Sequence, residues 1–170
     1  MTADLPRSGV IREGAHFFPI RIYYEDTDAA GLVYYANFLK YAERARTELL
    51  RVAGFEQERL RQETGLVFVV RHCTADYRAA ARLDDDLVIE TRVAGVGAAT
   101  LDLAQEIQRR DDVLVALDFR IACLGRTGKP QRLPPALRAA LDKFTAAAVG
   151  PLQNNRSKSK SSGVIAQHAR

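Results

Sequence analysis

A chain of 170 residues, 47% hydrophobic and 27% charged, has the balance of one soluble globular domain and lacks the roughly 18-residue apolar run of a membrane span. Its net charge of +4 does not mark a nucleic-acid-binding face, because Arg156, Lys158, Lys160 and Arg170 supply it from an acid-free stretch beyond Thr145. The rest of the chain is formally neutral.

Taken in order, residues 1–15 read as a flexible leader without the apolar run of a secretory signal, so the cytoplasm is the expected compartment. Phe17 to Tyr24 (FFPIRIYY) reads as a strand, with Pro19 at its start or on an edge. Glu25 to Gly31 is a turn. Helical periodicity then runs from Val33 to Ala53, with Phe38, Leu39, Tyr41, Ala42, Ala45, Leu49, Leu50 and Val52 on one broad half and Gly54 as the stop. Arg46 breaks that half. It either has a buried partner or interface, or lays its stem on the core and reaches water.

Glu56 to Glu63 suggests a short second helix. Leu66 to Tyr77 opens with LVFVV, a continuous apolar run that predicts burial on both faces. Leu87–Ala94, Leu101–Gln108 and Val113–Ala122 alternate apolar and polar residues, and Arg109-Arg110-Asp111-Asp112 suits a hairpin. Pro134 and Pro135 open a last helix, Ala136 to Ala147. The domain is expected over residues 16–144, an α+β arrangement of five antiparallel strands around one long helix. Residues 145–170, rich in Ser, Lys and Asn, read as a basic disordered tail.

The chain has no GxSxG elbow, P-loop or dinucleotide fingerprint. His16, His72 and His168 are scattered, and Cys73 and Cys123 lack CxxC spacing, so no metal, disulfide framework or cofactor is expected. What remains is Glu25-Asp26-Thr27-Asp28 before the long helix. These residues suit a solvated turn and helix cap. They also suit chemistry: the free N–H groups of a helix mouth can hold an oxyanion, a carboxylate can attack or activate water, and Gly31 allows close approach. A thioester would fit, since its thiolate leaves without help from a histidine.

The stretch YYEDTDAAGLVYYANFLKYAERARTELL, Tyr23 to Leu50, resembles the hot-dog-fold acyl-CoA thioesterases of the 4-hydroxybenzoyl-CoA thioesterase superfamily, nearest its YbgC-like branch. FVVRHCTADYRAAARLDDDLVIET, Phe68 to Thr91, extends the likeness, which covers about residues 17–144. The resemblance implies an acyl-CoA substrate, a homodimer or homotetramer, and sites at the dimer interface. It assigns the catalytic carboxylate to Asp28 and the oxyanion donor to the Tyr35 backbone N–H, with Gly31 and Tyr34 in the active-site loop. Many relatives carry histidine at the position of Tyr35. Glu43, on the long helix, is a rival carboxylate. Arg71, Arg78, Arg82, Arg126, Lys129 and Arg132 are candidates to hold the CoA phosphates, because the basic run of some benzoyl-type relatives is Val96-Gly97-Ala98-Ala99 here. An acyl-carrier-protein thioesterase and a non-catalytic acyl- or protein-binding module of the Tol-Pal region are the alternatives.

Overall fold

The computed structural model describes residues 7–147. In chain order its elements are β1 (Val10–Arg12), β2 (Ala15–Arg21), α1 (Asn37–Val52), α2 (Gln57–Thr64), β3 (Val67–Tyr77), β4 (Asp86–Val96), β5 (Thr100–Arg109), β6 (Asp112–Leu124) and α3 (Pro135–Ala147), with a 3-10 turn at Tyr24–Asp26. All strand pairs are antiparallel, and the sheet order is β1-β2-β4-β5-β6-β3. α1 lies across β2, β4 and β5. This is the hot-dog arrangement, a sheet curved around one long helix.

Alternation along the strands builds the core. Leu87, Ile89 and Val93 of β4, Leu101, Leu103 and Ile107 of β5, and Leu117, Phe119 and Ile121 of β6 face inward and are buried. They meet Phe38, Tyr41, Ala42, Ala45 and Leu49 of α1, which recur at the helical period. The outer face carries exposed ion pairs such as Arg120 with Asp102. The expected hairpin is present, with Arg109 opposite Asp112 and Arg110 at φ 56° in the turn. Leu39 and Val52, expected inside, are exposed.

Three expectations change. The sheet has six strands rather than five, because β1 falls in the segment that reads as a leader. Its hairpin turns on Glu13 and Gly14, both at positive φ, a two-residue turn whose twist matches that of the strands. α1 begins at Asn37, not Val33, because Val33 donates its N–H to the Ala81 carbonyl (2.9 Å) and bridges Thr27. The β-branched residue is held in an extended ladder and the helix waits for the next turn. The third change is β3, which is buried on neither face: it pairs only with β6 and forms an open sheet edge. Arg46, left open between a buried partner and a solvated head, has a partner in Gln105, as set out below. The expected tail beyond Ala147 lies outside the described residues.

Candidate active site

Asp26 ties the acidic turn together. Its buried carboxylate accepts the Tyr23 N–H (2.8 Å), and its carbonyl accepts both the Tyr34 N–H (3.0 Å) and the Asn37 side-chain amide (2.9 Å). Asn37 is itself buried, and its N–H reaches the Tyr34 carbonyl. Tyr41 sits inside this knot. Burial, with the Asp26 charge, raises its phenol well above the usual range. These contacts fix where α1 starts.

Asp28 is different: its side chain is exposed, on a tight loop. One carboxylate oxygen accepts the N–H groups of Ala30 (2.8 Å) and Leu32 (3.3 Å). The loop closes through Asp28 N–H to the Leu32 carbonyl and Gly31 N–H to the Asp28 carbonyl. Gly31 has φ +72°, a conformation that costs a side-chain-bearing residue more. The cap-like geometry expected of this residue type is present, yet it occupies one oxygen and leaves the other without a partner among the described residues.

Tyr35 lies in the turn just before α1. Its N–H donates to no acceptor among the described residues, and its ring is exposed beside Tyr34 (4.8 Å between centroids). Tyr77, at the end of β3, donates its hydroxyl to the Tyr35 carbonyl (3.3 Å) and packs edge-on against both Tyr35 and Phe38. Sequence reading missed Tyr77 and Asn37. A local signal exists for Asn37, an amide at a helix start; Tyr77 reaches the site only through the fold.

The candidate cations divide between two ends of the protomer. Arg82 bridges Leu32 of the Asp28 loop, and Arg78, which follows Tyr77, pairs with Asp76. Arg71 is exposed mid-strand beside the β3 register shift. Arg126 lies at the opposite end of β3, against Gly65 and with its guanidinium on the Gln62 carbonyl. Lys129 and Arg132 follow it, both exposed. The structure therefore does not gather Arg71, Arg78, Arg126 and Lys129 in one protomer. Glu43 is exposed, well inside α1, and accepts the Thr47 hydroxyl (2.8 Å).

A cavity of about 110 Å³ opens between α1 and the β3 end of the sheet, lined by Arg46, Leu49, Leu50, Phe68, Val70 and Ile121 among others. Arg46 donates to the Gln105 side-chain oxygen (2.9 Å), and its guanidinium carbon lies 4.1 Å from the Phe119 ring centroid. Among the described residues no cluster of three or more His, Cys, Asp or Glu is placed to hold a metal, and no helix is long and apolar enough to cross a membrane.

Known proteins place this architecture. The thioesterase-like superfamily matches residues 23–141. The acyl-CoA thioesterase YbgC of Haemophilus influenzae is 46% identical over 125 residues, covering 72% of this chain and 91% of that protein. The acyl-CoA thioester hydrolase YbgC of Escherichia coli is 40% identical over 124 residues, covering 72% and 92%. A probable thioesterase from Bartonella henselae, seen in its crystal structure, superposes with a TM-score of 0.68 at 37% identity, over 71% of this chain and 99% of that one. With its helix-wrapping sheet and its acidic turn before α1, the chain belongs to the thioesterase-like superfamily and, within it, to the YbgC-type acyl-CoA thioesterases.

Proposed function

We propose that this protein hydrolyses an acyl-CoA thioester to the free acid and CoA, with Asp28 as the reacting carboxylate and the Tyr35 N–H as the oxyanion donor. One observation carries the reading: among the described residues an Asp28 oxygen has no partner and the Tyr35 N–H has no acceptor, both on the exposed segment that leads into α1. The held oxygen of Asp28 orients the carboxylate, and the free one faces solvent or substrate. As a base it takes a proton from water, whose oxygen adds to the carbonyl carbon. The developing oxyanion is met by the Tyr35 N–H, and collapse of the adduct expels thiolate. As a nucleophile, Asp28 itself attacks and forms a mixed anhydride that water then opens.

An acyl-CoA panel with a free-thiol readout, on wild type and Asp28→Asn, tests this. The expected result is thiol release by the wild type and its loss by a factor of roughly a hundred or more in the variant. Equal release would sink the assignment. Single turnover in oxygen-18 water bears on the roles: label entering Asp28 supports the anhydride, and label entering only the product acid is the outcome of water activation or of an anhydride opened at its acyl carbon.

The assembly belongs to the same reading. β3 offers an unpaired edge of 11 residues, and its inward residues Val70, Cys73, Ala75 and Tyr77 are exposed. A second copy pairing antiparallel along β3 would extend the sheet and cover them. Such pairing would set the Tyr77 end of one copy, with its Asp28 loop, beside the Phe68 end of the other. It would also bring Arg126 and Lys129 of one copy towards the reacting turn of its partner.

A further inference from the structure

Arg46 has a chemistry that the hydrolytic step does not use. It projects from the apolar half of α1 onto Phe119, beside Gln105. Gln105 is 1% exposed and held on its other side, its amide nitrogen donating to the Ala42 carbonyl (3.0 Å) and the Thr91 hydroxyl (2.9 Å). Because both donations fix the amide's orientation, its oxygen must face Arg46. The guanidinium is thus pinned by a hydrogen bond at one side and an aromatic face beneath.

A guanidinium has five N–H groups. Among the described residues Arg46 places one bond, to a neutral amide, and no carboxylate forms an ion pair with it. Glu43 lines the same cavity and its charge acts on Arg46, but it makes no ion pair with it among the described residues, one of its oxygens accepting the Thr47 hydroxyl. Arg46 itself lines a cavity whose remaining walls are largely Leu49, Leu50, Phe68, Val70, Leu103 and Ile121. A partly buried cation whose one hydrogen-bond acceptor is a neutral amide is only partly compensated, so the arrangement gains when a further acceptor enters.

We propose that this cavity receives the acyl group and that Arg46 selects short acyl groups carrying an oxygen acceptor, a carboxylate above all, at the end far from the thioester. This rests on the acyl-CoA hydrolase reading above. Size sets the chain length: at about 110 Å³ the cavity is smaller than one of about 150 Å³ that holds benzene, so it takes a group of a few carbons. Position sets the polarity. Along β3, Val70 and Tyr77 are separated by roughly 23 Å at the usual rise per residue, so the cavity and the Asp28 loop of one copy do not share a site. Antiparallel pairing of β3 with a second copy brings one copy's cavity beside the other's Asp28 loop. The thioester then lies at the loop and the acyl tip runs inward to Arg46. A planar two-donor fork matches a carboxylate best.

The test is kcat/KM for butyryl-, 4-hydroxybutyryl- and succinyl-CoA, acyl groups of one length that differ at the tip. Wild type is expected to prefer the two oxygen-tipped substrates by roughly tenfold or more, succinyl highest. In Arg46→Met that ratio collapses towards one, and Arg46→Lys retains part of it for succinyl alone. Wild type favouring butyryl, or treating the three alike, overturns the inference while leaving the hydrolase reading intact, and this needs no variant to fold. So does a preference that survives Arg46→Met. Thiol release from none of a broad acyl-CoA panel overturns the reaction itself, and this inference with it.

Discussion

β5 and β3 flank the same strand, β6, yet they meet opposite environments. The inward residues of β5 are sealed beneath α1, with Ile107 at 0% exposure and Gln105 at 1%. Their counterparts on β3 stand open, with Val70 at 47% and Tyr77 at 44%. Both strands alternate, and both present an apolar face to the same side. The difference is coverage: α1 crosses β2, β4 and β5 and touches β3 at its end, where Phe38 meets Tyr77. An alternating pattern tells which side of a strand is apolar. It does not tell whether the same chain supplies the cover.

Three changes break or sharpen this contrast. The largest effect is expected from Ala75→Glu, a charge on the open inner face of β3. Under the proposed dimer it should shift the protein to monomer in sedimentation velocity and abolish thiol release, while the protomer still folds. A variant that stays dimeric would show that β3 is not the interface. Next, Ile107→Ala leaves a cavity under α1 and should cost about 2–5 kcal/mol in urea denaturation. In the same dissociated background, Val70→Ala on the open inner face of β3 should cost about 0.5 kcal/mol or less, as for other exposed sites. Equal costs would mean β3 is covered within the protomer.

The smallest effect lies at the other edge of the sheet. His16 is buried on β2 beside Phe18, with one ring nitrogen on the Ser8 carbonyl (2.7 Å) and the other unpartnered. Burial lowers its pKa from 6.5, against weaker opposing pulls from the Ser8 carbonyl and Glu48. The unfolded chain therefore takes up a proton below about pH 6.5 that the folded chain refuses, so stability present above that pH is lost as it falls further. His16→Gln should flatten the fall in urea midpoint between neutral pH and pH 5.5, and an unchanged slope would assign it elsewhere.

Much of the fold was legible in local pattern. The body of α1 follows from its apolar period, and β4, β5 and β6 from their alternation, because one covered face is enough to write those patterns. The start of α1 was not legible, since Val33 is held by Ala81 from across the fold. β1 escaped because three residues carry no period, and its turn uses Glu13 at positive φ, where sequence reading looks for Gly or Asn. LVFVV reads as doubly buried, because an apolar run on an open edge looks the same as one on an internal strand. At the site, separating Asp28 from Asp26 needed the family resemblance. The structure adds a physical distinction, with Asp26 buried and spent on backbone donors and Asp28 exposed with an oxygen to spare. Arg46 announced itself as an anomaly, but its partner Gln105 depends on the crossing of helix and sheet, which no local pattern encodes.

The two cysteines follow the same division, with a practical consequence. Cys123 is sealed in the core, and burial pushes its thiol up to about 11, out of reach of alkylating reagents at neutral pH. Cys73 lies on the open inner face of β3, opposite Phe119. A single exposed sulfur, its pKa also raised by partial burial, is thereby stationed at the proposed seam between copies. Its alkylation rate becomes a built-in gauge of assembly, slow when the seam is shut and fast when it parts, with no label engineered into the chain.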